Sequence, residues 1–221
     1  MVILGIETSC DETAASVIRN GQEVLSHVVA SSSEMHIKTG GIIPENAARE
    51  QVKSVIPVVQ EALKTGCGWT VDNFGYPPID AIAITVGPGL IGSLLVGVET
   101  AKSLGFLWGK PIIAVNHLLA HLYANWLEQE IPLFPAIGFV VSGGHTDLVL
   151  MKDHGNLVYI GGTRDDAAGE AFDKTARILG LPYPGGPAIA AAAAQYKISN
   201  LKFKIRLPRP MINDDSYDFS F

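Results

Sequence analysis

Val2-Ile3-Leu4-Gly5-Ile6-Glu7-Thr8-Ser9-Cys10-Asp11-Glu12-Thr13-Ala14-Ala15-Ser16-Val17-Ile18-Arg19-Asn20-Gly21 is the stretch on which the fold turns. Val2 to Ile6 reads as a short apolar strand, Glu7 to Glu12 as a polar turn and Thr13 to Ile18 as a returning strand. Asn20-Gly21 is hairpin-turn chemistry, and Glu23 to Ala30 reads as a third strand. Three antiparallel strands at the start of a chain are unlike a dinucleotide-binding fold, which runs strand, glycine-rich loop, helix.

Outward from that opening, Glu45 to Lys64 has helical spacing, with Ala48, Val52, Val55, Val59 and Leu63 on one face. Pro57 lies inside it and is expected to kink or split it. Ile79 to Val86 reads as a buried strand, Ser93 to Trp108 as an apolar helix, and Gly109-Lys110-Pro111 as the boundary between two halves. Ile112 to Val115 is a strand, and Asn116 starts a helix reaching about Leu127. Ala136 to Val141, Thr146 to Met151 and Leu157 to Ile160 are three further strands. Helices follow over Ala167 to Leu179 and Ala188 to Tyr196. Ile3 to Ile18 and Ile137 to Met151 echo each other, each a strand, a polar turn and a returning strand. That weak duplication predicts two similar α/β subdomains, 1–110 and 111–221, with fewer elements in the second.

The composition sets outer limits. Hydrophobic residues make up 48% and charged residues 17%, enough to bury a sizeable core. A net charge of -6 argues against a generic polyanion binder. Nucleic-acid contact then needs a local patch or a helper subunit. The one candidate run holds Lys197, Lys202, Lys204, Arg206 and Arg209 without an acid, and a solvated face explains it equally well. Cys10 and Cys67 are too few for a disulfide scaffold. No basic start leads into a hydrophobic stretch, and no apolar run is long enough to span a bilayer, so a cytoplasmic protein with no membrane partner is expected.

Five stretches carry residues suited to chemistry. His117 and His121 stand four apart, so on a helix both imidazoles can reach one metal ion; two histidines at a subdomain seam is the plainer reading. Ser142-Gly143-Gly144-His145-Thr146 offers backbone N–H groups and hydroxyls to an anion, or simply makes a tight hairpin. Gly87-Pro88-Gly89-Leu90-Ile91-Gly92 suits phosphate at a helix start and close helix–sheet packing alike, and is neither a Walker A loop nor a Rossmann fingerprint. Asp166, Glu170 and Asp173 share a helical face, fit to cap the helix, pair with Lys174 or Arg177, or hydrogen-bond a ribose. Asp11 and Glu12 occupy the first polar turn, where they either orient a reacting group or face solvent.

Taken in chain order, Ile6 to Thr13, Gly87 to Leu90, His117 to His121, Val141 to Thr146, Asp165 to Lys174 and Tyr183-Pro184-Gly185-Gly186 resemble the tRNA N6-adenosine threonylcarbamoyltransferase family, once described as O-sialoglycoprotein endopeptidases. The resemblance covers the whole chain. It implies the duplicated actin-like ATPase fold shared with sugar kinases and Hsp70, with the second subdomain incomplete and further segments following Asp218-Phe219-Ser220-Phe221. Those segments would include a glycine-rich nucleotide loop and a third metal ligand.

The activity so implied is transfer of a threonylcarbamoyl group from threonylcarbamoyl-AMP to N6 of adenosine 37 in tRNAs reading codons that begin with A. His117 and His121 take the places of two ligands of an iron(II) ion, with zinc as the alternative. Val140, Val141, Ser142, Gly143, Gly144, Asp173 and Gly186 match substrate contacts, and Asp11 and Glu12 are the candidates for proton removal. Implied partners are tRNA, a dimerisation paralogue and an ATPase. Ala190 departs from the pattern, standing where relatives often carry an acid that touches the nucleotide sugar. The rival readings are a non-catalytic scaffold subunit and a metalloprotease; against the latter, Leu118 stands where a zinc-protease helix has its glutamate base.

Overall fold

Alternation of apolar and small residues sets the first sheet. β1 (Val2–Glu7), β2 (Glu12–Arg19) and β3 (Glu23–Ser31) form an antiparallel meander, and β4 (Ala81–Gly87) and β5 (Ile112–Asn116) continue it in parallel. The order across the sheet is β3-β2-β1-β4-β5. Asn20 and Gly21 both take positive φ, 54° and 75°, as the hairpin reading requires. One face projects Leu4, Ile6, Ala15, Val17, Ile82 and Ile84, all buried. The opposite face projects smaller or polar side chains, among them Gly5, Ala14, Ser16 and Ala83.

Two helices share the packing of that sheet: α1 (Pro44–Cys67) and α2 (Ile91–Trp108). Pro57 does not split α1. Pro57 and Lys53, whose carbonyl loses its helical partner, are both exposed, so the break lies on the solvent side of the helix. The inward face of α1 is Ala47, Gln51, Val55, Val58, Val59, Ala62 and Leu63. Val52, read from the sequence as a core position, is 62% exposed, and Gln51 points inward instead.

The computed structural model describes residues 1–32, 35, 37, 41–73, 75–127, 131–195 and 207–221. They fall into two units, Met1–Ile131 and Pro132–Phe221. The division lies beyond the expected one at 110/111, because β5 pairs with β4 and carries α3 (His117–Tyr123) into the first unit. The basic residues Lys197, Lys202, Lys204 and Arg206 lie outside the described residues; Arg209 is described and exposed.

The second unit also opens on an antiparallel meander, β6 (Ala136–Val141), β7 (Thr146–Asp153) and β8 (Asn156–Gly162). The echo heard in the sequence is therefore an echo of strand plan, and the α/β class is as expected. α4 (Ala168–Ile178) and α5 (Gly185–Gln195) pack on each other. α5 starts at Gly185 rather than Ala188, since Pro187 is tolerated in a first turn. Tyr217 to Phe221 runs beside the end of β8: Phe219 bridges Thr163 in parallel, and its ring stacks on Phe139 with centroids 5.7 Å apart. No helix among the described residues is long and apolar enough to cross a membrane.

Candidate functional site

Asn116 fixes the histidine helix. Its Oδ1 accepts hydrogen bonds from the N–H groups of Leu118 (2.9 Å) and Leu119 (3.1 Å), a side-chain N-cap at the end of β5. His117 is thus the first residue of α3, and His121 lies one turn further on the same face. The two Nε2 atoms are 3.1 Å apart and the rings nearly perpendicular, at 83°.

The far side of the His117 ring is held by the first polar turn. Ser9 Oγ lies 3.2 Å and Glu7 Oε2 3.4 Å from His117 Nδ1. Glu7 Oε1 also accepts from the Ser9 N–H at 2.5 Å. Burial pushes the Glu7 carboxyl up, but hydrogen bonds with His117, Ser9 and Thr85 outweigh it and hold the group down at about 2. A carboxylate facing Nδ1 favours the tautomer with the proton on Nδ1 and the lone pair on Nε2. Burial also pushes the Cys10 thiol up to about 12, with Asp11 adding to the rise, so Cys10 is a packed thiol as read. A cavity of about 380 Å³ opens beside this cluster, lined by Gly5, Glu7, Ser16, Thr85, His117 and His121 among others.

The polar turn itself is clamped by its neighbours. Leu90 donates its N–H to Ser9 O (2.7 Å), Ser93 Oγ donates to Cys10 O (3.1 Å), and Thr8 Oγ1 donates to Ser93 O (2.8 Å). A Cβ on Gly89 would sit 2.5 Å from Ser9 O, so this glycine is required for the close approach. Gly97 similarly leaves room for Thr8 and Ile84. Gly89 thus serves packing, the second of the two readings given its stretch, and the N–H of Leu90 is already engaged. Asp11 is partly exposed, and Glu12 is exposed at the start of β2.

A second cluster belongs to the second unit. Val141 and Thr146 close the β6–β7 hairpin, Ser142 N donates to His145 O (2.8 Å), and Ser142 Oγ accepts from Gly144 N (3.3 Å) and His145 N (3.0 Å). Val140 is buried, while Val141, Gly143 and Gly144 are exposed. The start of α4 docks on this turn: Ala168 N donates to Thr146 Oγ1 (2.9 Å) and Gly169 N to Ser142 O (3.1 Å). A Cβ on Gly169 would lie 2.7 Å from Gly143 Cα, so backbone meets backbone here. Further along α4, Asp173 Oδ1 accepts from Gly185 N (2.7 Å) and so caps α5, with Gly186 next to it in open space. Asp166 and Glu170 are taken up by Lys174, at 2.7 and 3.1 Å. Ala190 is exposed on α5.

The sequence-derived candidates thus form two groups, His117 with His121 in the first unit and the Val140–Gly144 turn with Asp173 and Gly186 in the second. Glu7 and Ser9 were not among those candidates. Their signal was an ionisable residue ending an apolar strand, followed at once by hydroxyls.

Two nitrogens bound to one tetrahedral metal at about 2.0–2.1 Å lie roughly 3.3 Å apart, close to the observed pair, and an Nδ1 held by a carboxylate is the usual outer partner of a ligating imidazole. The donor set present fits an iron(II) or zinc ion as two of its ligands. Among the described residues no group of three or more His, Cys, Asp or Glu is placed to hold a metal.

Comparison with known proteins gives a consistent answer. The family model described as tRNA N6-adenosine threonylcarbamoyltransferase matches residues 23–221. Relatives carrying that name from Thermomicrobium roseum and Geobacillus kaustophilus are each 53% identical, over 100% and 99% of this chain and 59% and 60% of their own lengths. The relative of that name from Bacillus subtilis is 51% identical over 100% of this chain and 60% of its own length. The chain therefore spans about 60% of the length of the curated relatives it matches. Among solved structures, YeaZ from Pseudomonas aeruginosa aligns with a TM-score of 0.44 at 16% identity, over 72% of this chain and 65% of that one.

Proposed function

This chain belongs to the tRNA N6-adenosine threonylcarbamoyltransferase family, with its actin-like α/β fold, and from that premise we propose that it contributes the metal cradle and part of the nucleotide site of such a transferase. The reaction is acyl transfer. The N6 amine of adenosine 37 in tRNA attacks the carbamoyl carbonyl of threonylcarbamoyl-AMP, the bond to the phosphate oxygen breaks, and AMP leaves.

The observation that carries this reading is the Glu7–His117–His121 geometry, which brings two Nε2 atoms to 3.1 Å and sets a carboxylate behind one of the rings. An iron(II) or zinc ion held by His117 and His121 would supply Lewis-acid polarisation of the donor. Within the second unit by itself, the exposed backbone at Gly143 suits phosphate charge, and the second carboxylate oxygen of Asp173, not used in capping α5, suits a ribose hydroxyl. Asp11 or Glu12 takes the amine proton. The amine is a weak nucleophile, so placement carries much of the rate.

Partners and location belong to the same proposal. Val52 and Ile56 stand one turn apart on α1, and Ile91 and Leu95 one turn apart on α2; all four are exposed. The helices approach closely where Gly92 meets Ala48. This two-helix apolar face is the docking surface for a dimerisation paralogue, with an ATPase joining the complex in the cytoplasm.

The test is a chimera in which the remaining length of the Geobacillus kaustophilus relative follows Phe221. It is mixed with unmodified tRNA, partner proteins, the donor-making enzyme, threonine, bicarbonate and ATP, and nucleosides are analysed. Modified adenosine from the chimera, and none from its His117→Ala/His121→Ala form, is expected. Absence of product from the chimera, with the intact relative active beside it, refutes the proposal.

A further inference from the structure

The side chain of Gln51 makes an unusual set of contacts. It is 1% exposed, on the inward face of α1. Its Nε2 lies 3.2 Å from Thr8 O, 3.0 Å from Cys10 O and 3.1 Å from Glu12 O, three carbonyls of one turn. Its Oε1 is buried without a hydrogen-bond partner. The amide has two hydrogens for three acceptors, so at least one hydrogen is shared. The reverse orientation would set an oxygen against three carbonyl oxygens, so the assignment of nitrogen and oxygen is not in question. A buried amide that leaves its own acceptor unpaired is held there by what its nitrogen does.

We infer that Gln51 is a positioning residue that clamps the Thr8–Glu12 turn and, through Glu7 and Ser9, sets the tautomer and angle of His117. The chain of contacts is continuous. The carbonyls of Thr8, Cys10 and Glu12 are drawn toward α1, while Ser9 O is drawn toward Leu90 N at the start of α2. Cys10 O also accepts from Ser93 Oγ of α2, so the turn is held from two helices. The Ser9 N–H is left facing Glu7 Oε1, and Ser9 Oγ and Glu7 Oε2 both reach His117 Nδ1. Packing alone would fill the Gln51 position with an apolar side chain; three directional bonds to one turn require a donor. The consequence for catalysis rests on the metal-cradle reading above, whereas the clamp does not.

The experiment uses the chain without metal, by NMR. In the unmodified chain the Gln51 Nε2 hydrogens exchange slowly with solvent, and the His117 ring nitrogens report one tautomer with the proton on Nδ1. Gln51→Met keeps the volume and removes the donor. Its far-UV circular dichroism stays as in the parent, exchange of the Ser9 and Leu90 amides rises by about tenfold or more, and the His117 ring shifts move toward a tautomer mixture. Gln51→Asn, which keeps the amide on a shorter stem, falls between the two. Rapid exchange of the Gln51 Nε2 hydrogens in the unmodified chain overturns the clamp, even if Gln51→Met fails to fold. A folded Gln51→Met with parent-like amide exchange and His117 shifts does the same. If zinc does not bind the parent chain while the NMR results stand as expected, the metal reading fails and the clamp survives.

Discussion

His117 presents Nε2 outward because its other nitrogen faces Ser9 and the ionised Glu7. Removing that carboxylate loosens the ring and lowers its basicity, the usual penalty for losing an outer partner of a ligating histidine. Glu7→Ala is expected to weaken zinc binding by about 10–100-fold, measured by calorimetric titration; unchanged affinity would show that Glu7 only fills space. The spacing of His117 and His121 predicts that the two rings share a helical face, as they do; their role as ligands is what the resemblance implies. Glu7 was not legible in the sequence, because its role depends on β5 lying two strands away across the sheet, which no local pattern reveals. Asp11 and Glu12 were read as candidates for proton removal; Glu7, which ends β1, reaches His117 Nδ1.

At the scale of elements, the sequence pattern located most strands and helices but misjudged one helix face. Val52 and Gln51 are neighbours, and apolar periodicity favours Val52 for the core. The structure turns α1 so that Gln51 meets the polar turn and Val52 joins Ile56, Ile91 and Leu95 outside. A buried demand for a donor outweighed hydrophobicity, and that demand lies in a turn far away in sequence. The exposed face yields a prediction. Val52→Glu with Leu95→Glu leaves the melting temperature of the isolated chain nearly unchanged and, on the docking proposed above, abolishes association with a dimerisation paralogue in sedimentation; retained association would overturn that docking. The contact of α4 with the β6–β7 turn yields another. Gly169→Ala sets a methyl against the backbone of Ser142 and Gly143 and is expected to cost about 1–3 kcal/mol by overpacking, seen as a lower melting temperature. An unchanged melt would mean the turn shifts freely.

Across the whole molecule, the duplicated plan was legible and the division was not. Gly109-Lys110-Pro111 has the composition of a linker, and Gly109 does end α2 with a φ of 62°, but the chain then re-enters the same sheet as β5. Residues 1–131 alone should therefore melt cooperatively, while 1–110 leaves an edge of β4 unpaired and melts broadly; equal cooperativity in both would make β5 dispensable. At the other end, Asp165 accepts hydrogen bonds from Ser220 Oγ and Phe221 N, and Asp218 pairs with Arg164 at 2.8 Å. Ser220 and Phe221 hold the Asp165 carboxyl below its ordinary 3.8, and Arg164 does the same for Asp218. The folded values are depressed, so this stabilisation is complete above the ordinary value and is lost as the pH falls through the folded ones. Protection of the Phe219 and Phe221 amides should be constant from neutral pH to about 5 and decline below the ordinary carboxylate range; loss already near neutrality would assign the docking to another group.

The account turns on two imidazole nitrogens converging on one metal ion, and cobalt(II) titration of the chain, followed by its visible absorption, tests this most directly. The expected result is saturable binding of one cobalt per chain with bands that disappear in His117→Ala/His121→Ala, the affinity being modest because two ligands are placed here among the described residues. Equal cobalt uptake by the parent and the double variant would contradict it.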